Sequence, residues 1–159
     1  MTVKRFVFGA GVILLIAGSV WWYLATRPQT TTPPINLPTH TATIGETTFT
    51  LYVTRSDLDR QGGLGNTRYL AKRHGMIFRG LDEGVMSLWM KDMYIPLDVI
   101  WVGKDDRIVY LLENISPESF PETYANPSDT PALYFIELNS GDIRTYGLSI
   151  GDQVVFAES

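Results

Sequence analysis

The chain of 159 residues contains no cysteine and only two histidines. Disulfides, thiol catalysis and cysteine-ligated metals are thereby excluded. His40 and His74 lie far apart in the chain, so no histidine pair stands at metal-ligand spacing and no metal or other cofactor is expected. Asp105 and Asp106 make a tight-turn pair, not the longer alternating acidic run of a calcium loop. The cluster Gly62-Gly63-x-Gly65 lacks the lysine and following helix of a phosphate-cradling loop. No serine stands in a strand–turn–helix nucleophile elbow. Acidic residues are absent from the first forty positions. All seventeen follow, against ten of the thirteen basic residues, which leaves positions 41–159 with a net charge of −7. Such a domain repels phosphate backbones, and nucleic acid is not expected as a partner.

What the first forty positions hold instead is apolar. Residues 6–25 form a run without charge, long enough to cross a bilayer as a helix. Lys4 and Arg5 precede it and only Arg27 follows closely, so positions 1–5 are expected in the cytoplasm and the remainder outside. Trp21, Trp22 and Tyr23 suit the headgroup layer at the far end. A cleaved signal peptide would have a shorter apolar core and small residues before its cleavage site; Trp22-Tyr23-Leu24-Ala25 offers bulky ones. A signal anchor in the cytoplasmic membrane is the expected localisation. Residues 26–40 carry four prolines and five threonines with almost no charge, the composition of an extended tether.

Positions 41–159 are sufficient for one domain with its own core. Their apolar periodicity is mostly that of strands. Phe49, Leu51 and Val53 alternate along residues 47–53, and Gly45-Glu46 predicts a hairpin to residues 41–44. Ser56 with Asp59 three residues on predicts a capped short helix ending at Gly62-Gly63. Strands are expected over 86–91, 97–103, 108–113, 133–138 and 153–156. A second short helix is expected over 140–146, with Gly147 at its C-terminal cap. The fold class is α+β and β-rich: a strongly curved antiparallel sheet or partly closed barrel with two short helices, preceded by one transmembrane helix. Residues 116–131 read as a long element-free loop, with Phe120 and Tyr124 spaced to fold back as a lid or to pin the loop down.

Several blocks occur in a characteristic order: Gln61-Gly62-Gly63-Leu64, Gly75-Met76-Ile77-Phe78, Leu88-Trp89-Met90-Lys91-Asp92, Pro96-Leu97-Asp98, Pro131-Ala132-Leu133-Tyr134 with Glu137-Leu138, and residues 147–152. In these the chain resembles the domain of unknown function 192 family, over about residues 46–155. Leu88 stands where that family usually has phenylalanine, and residues 66–74 form a longer, more basic insert. The resemblance implies the fold and a prokaryotic origin. It implies no activity.

The candidate site residues follow from charge placed in apolar sequence. Asp98 lies in a strand that is apolar on both faces, with Leu97, Val99 and Trp101 pointing one way and Asp98, Ile100 and Val102 the other. A carboxylate buried there must be paired, hydrogen-bonded or protonated. Lys91 is the expected partner and Glu113, at the end of the next strand, a further candidate. In one reading Lys91 and Asp98 form a structural latch that fixes register. In another, Trp89, Lys91, Asp98, Glu113 and Tyr124 line a pocket for a small polar or sugar-like ligand, with Trp89 as a stacking platform. A third uses Asp98 and Glu113 as the acids of a carbohydrate hydrolase. Beside the membrane itself, the expected partners are such a ligand or an envelope protein; a purely structural accessory role is the remaining alternative.

Overall fold

The computed structural model describes residues 37–157. The expected transmembrane segment, residues 6–25, and nearly all of the tether lie outside the described residues. Among the described residues no helix is long and apolar enough to cross a membrane.

Among the described residues nine strands form, in chain order: β1 Thr39–Ile44, β2 Thr47–Val53, β3 His74–Gly84, β4 Ser87–Trp89, β5 Leu97–Val102, β6 Ile108–Ile115, β7 Thr123–Ala125, β8 Ala132–Asn139 and β9 Val154–Phe156. Helices α1 (Asp57–Gly62) and α2 (Asp142–Tyr146) are short. Seven strands build one sheet in the order β6-β5-β8-β3-β2-β1-β9, and β4 pairs with β7 in a separate ribbon. The large sheet curls until its edges approach, and an Arg107–Gln153 bridge joins the β6 side to the β9 side. The architecture is therefore the β-rich, partly closed barrel with two short helices that the periodicity predicts. The sheet is mixed, however: β2 and β3 run parallel, because the stretch containing α1 carries the chain back across before β3 begins.

Local chemistry explains the elements. At α1 the Ser56 side chain accepts from the Asp59 amide, while the Asp59 carboxylate accepts from the Ser56 amide at 2.9 Å. Gly147, at φ 65°, ends α2 in the left-handed conformation that favours glycine. Gly75 lies where β3 and β8 pack so closely that a Cβ would come within 2.5 Å of the Glu137 carbonyl.

Both faces of the sheet are buried, and each carries its own core. One draws on all seven strands and fills the inside of the curl, with Ile44, Phe49, Leu51, Ile100, Tyr134 and Leu138 among its members. The other covers the outer face of β3, β5 and β8. It is roofed by Leu64 and Leu70 from the connection after α1 and by Leu88 and Met90 from the β4 region. The indole of Trp101, fully buried there, donates to the Met86 carbonyl at 2.8 Å and ties that roof to the sheet.

Residues 116–131 are more ordered than their composition predicts. They contain a 3₁₀ turn at Pro117–Ser119 and strand β7, which pairs Tyr124 with Leu88. The buried Asn126 side chain accepts from the Met86 amide at 2.7 Å and donates to the Gly84 and Thr130 carbonyls. These hydrogen bonds lock the segment to the β3–β4 turn. Alternation is too short in Thr123–Ala125 to signal a strand; only a distant partner makes it one.

Candidate functional site

The outer face opens into a cleft of ≈ 610 Å³ between the sheet and its roof. The β3 and β8 side chains Phe78 and Phe135, stacked 4.6 Å apart, contribute to its floor. The Gly62–Gly65 turn closes one side and residues 85–89 another. Trp89 stands among the lining residues, 51% exposed, with Phe120 edge-on to its ring at 5.9 Å. The Lys91 ammonium lies 5.7 Å from the Trp89 ring centre.

One residue in this cleft was not singled out by the strand pattern. Glu137 lies on the interior strand β8, flanked by Val99 of β5 and Met76 of β3. It is only 6% exposed, and its Oε2 has no hydrogen-bond partner among the described residues. Burial without a compensating cation or donor disfavours the charged form, and pushes its carboxyl up from 4.5 to about 8. Glu137 is thus a protonated acid at neutral pH, able to donate as well as accept. The signal that could have found it is the one that found Asp98: a carboxylate at an alternating position in an apolar strand.

Asp98 itself lies on the opposite face. Register pairs Asp98 with Leu138 and its neighbour Val99 with Glu137, so the two acids point to different sides of the sheet. Asp98 is 0% exposed and accepts two backbone hydrogen bonds, from Asn114 at 2.8 Å and Ile143 at 2.9 Å. The first comes from a bulge in β6, where Glu113 and Asn114 together oppose Asp98 and Asn114 adopts φ 55°. The second caps α2, whose own N-cap residue Gly141 has no side chain to do so. The expected Lys91–Asp98 pair does not form. Its premise was that Lys91 lies on a strand beside β5, but β4 ends at Trp89 and joins β7, while β5 is flanked by β6 and β8. Lys91 sits in the following turn, exposed, and among the described residues it has no carboxylate partner.

The other two candidates are placed elsewhere. Glu113 pairs with Arg144 of α2 at 3.1 Å on the surface. Tyr124 packs against the outer core, its hydroxyl donating to Glu122 at 3.0 Å, and it does not line the cleft; its neighbour Thr123 does. Of the five, Trp89 and Lys91 meet at the cleft. A third buried acid, Asp142, has an Oδ2 without a partner among the described residues; burial and the nearby Asp98 charge raise its carboxyl above the ordinary range. Among the described residues no cluster of His, Asp and Glu could hold a metal ion.

A protein of Sinorhizobium meliloti proposed to be a transcription regulator is similar to this chain, with a TM-score of 0.71 and 27% identity over 77% of this chain and 96% of its own. A protein of unknown function from Novosphingobium aromaticivorans is similar at a TM-score of 0.67 and 28% identity, over 79% of this chain and 94% of its own. Both solved chains correspond almost entirely to the domain described above, which therefore stands as a fold by itself. No curated protein matches. The family model for domain of unknown function 192, "Uncharacterized ACR", matches residues 39–156, and the chain belongs to that family.

Proposed function

We propose that the domain is a binding module for a small polar, sugar-like ligand, held in the cleft between Trp89 and Glu137. A second proposal concerns place: residues 6–25 anchor the chain in the cytoplasmic membrane and display the domain outside it, on the strength of the uncharged apolar run and its basic flank. The observation that carries the ligand reading is Glu137. A carboxyl buried on an apolar floor, its Oε2 without a partner among the described residues, costs stability, and a hydroxyl-bearing ligand supplies the hydrogen bond it lacks. A half-exposed indole at the same cleft offers a flat apolar face of the kind a pyranose ring stacks on.

The hydrolase alternative loses support, since sealed Asp98 and surface Glu113 share no cavity. The name given to the Sinorhizobium protein does not carry over, because a domain of net charge −7 is poorly suited to a phosphate backbone. One observation favours an envelope protein as a further partner: Leu81, 96% exposed, projects from the far half of β3, and Val85 from the turn that follows it.

The test is an amide NMR titration of residues 37–159 with a panel of mono- and disaccharides. Shifts are expected to cluster on residues 62–65, 85–91 and 135–137, and Trp89→Ala is expected to remove them. Shifts that are absent or scattered over the surface refute the reading.

A further inference from the structure

The charges around the cleft are unlike those of the domain as a whole. Positions 41–159 are strongly acidic, yet the ionisable residues at the cleft are Arg60, Arg79, Lys91 and Glu137. Two of the cations are already engaged. The Arg60 guanidinium donates to the Arg79 carbonyl at 2.8 Å and pairs with Asp57 at 3.3 Å. The Arg79 guanidinium lies over the Tyr134 and Phe156 rings, on the inner side of the sheet. Lys91 remains, a cation beside the stacking face of Trp89 with no carboxylate partner among the described residues. At the floor stands the buried, unpartnered Glu137.

Resting on the sugar-binding reading, we propose that the ligand is a pyranose that carries a carboxylate, a uronic acid. Its ring stacks on Trp89, its hydroxyls meet the Glu137 carboxyl on the floor, and its carboxylate pairs with the Lys91 ammonium. A cationic sugar would meet like charge at Lys91, and a neutral one would leave that ammonium unused. An anion at the cleft is favoured where the only acid in the lining, among the described residues, is deep and kept neutral by its surroundings. The Lys91 ammonium is a compact donor on a flexible stem, suited to a single carboxylate whose angle varies from one sugar to another.

Glucuronate and glucose differ only in the carboxylate at C6, and they are the probes. Dissociation constants come from calorimetry or amide shifts on residues 37–159, for the wild type, Lys91→Met and Lys91→Arg. Glucuronate is expected to bind about tenfold tighter than glucose, the worth of one charge-assisted hydrogen bond at a partly exposed site. Lys91→Met is expected to bring the two within about twofold of each other, and Lys91→Arg to restore most of the preference. Because Lys91 is exposed, neither variant threatens folding. Equal binding of glucuronate and glucose overturns the uronic acid proposal and leaves the sugar-binding reading standing. A preference that survives Lys91→Met also overturns it, since Lys91 would then not read the carboxylate. Failure of both sugars to bind overturns this proposal and the reading beneath it.

Discussion

Glu137→Gln is the substitution whose effect the structure predicts most sharply. The wild-type carboxyl is pushed from 4.5 in the open chain to about 8 in the fold, because it is buried on the outer face with an unpartnered oxygen. A raised folded value means that the native state holds the proton more tightly. The associated stability is therefore fully present below about pH 4.5, declines as pH rises, and is lost above about pH 8. Each pH unit in that interval is worth about 1.4 kcal/mol, so the whole span is roughly 5 kcal/mol and the part already lost at pH 7 is about 3 kcal/mol. Glutamine has the same shape and does not titrate. The variant should match the wild type within about 1 kcal/mol near pH 4, and exceed it by about 3 kcal/mol near pH 7. At this domain size the latter gain raises Tm by roughly 10 °C.

The assay is urea unfolding of residues 37–159 at a series of pH values, for both proteins, in the absence of sugar. Taking the difference between the two curves removes the contributions of the other carboxylates, provided they are not coupled to Glu137. Asp142, also raised by burial, belongs to the α2 end of the fold and drops out in this way. A difference that stays constant from pH 4 to 9 would refute the reasoning. It would show that the Glu137 carboxyl is as well solvated in the fold as in the open chain.

Asp98→Asn should cost about 3 kcal/mol by urea unfolding, because the Asn114 and Ile143 amides donate to different oxygens and a carboxamide offers only one; a neutral result would show that the bond lost does not matter to the fold. Asn126→Ala removes the acceptor for the Met86 amide and the donor to the Gly84 and Thr130 carbonyls, for a loss of about 3 kcal/mol and faster amide exchange at residues 84–89. Exchange unchanged there would mean that other contacts hold the roof. Gly75→Ala forces a Cβ to within 2.5 Å of a backbone oxygen, and thermal melting should show a loss of 3 kcal/mol or more, by the order of magnitude for overpacked cores. A Tm within a few degrees of wild type would mean that β3 and β8 separate readily.

Much of this fold was written locally. The Ser56–Asp59 capping box and the Gly147 cap are each contained within a few residues, and both appear as the sequence predicts. The alternation of β5 assigned Leu97, Val99 and Trp101 to one core and Ile100 and Val102 to the other, as observed. What failed depended on partners far along the chain. Lys91 stands only seven residues before Asp98, close enough for a local reversal to pair the two. The chain instead sends β4 to β7, more than thirty residues on, and no local pattern announces that pairing. The parallel run of β2 beside β3 was hidden for the same reason.

The two acids on β5 and β8 show why the site was harder to read than the fold. Asp98 and Glu137 are each a carboxylate within an apolar run, and the register places them one residue apart on opposite faces. Their fates differ through groups 16 and 45 residues distant from Asp98, the Asn114 and Ile143 amides, which converge on one acid and leave the other bare. Sequence marks both as anomalous but cannot say which will find its partner. Once the partners are known the logic reverses. The acid with two amide donors explains itself as part of the fold, joining the β6 bulge to α2. The acid without any is a liability that a glutamine or a leucine would remove, and it stands on the floor of the cleft that also gathers Trp89 and Lys91. A group held at the expense of stability, in a cavity of ligand size, is where function is to be sought.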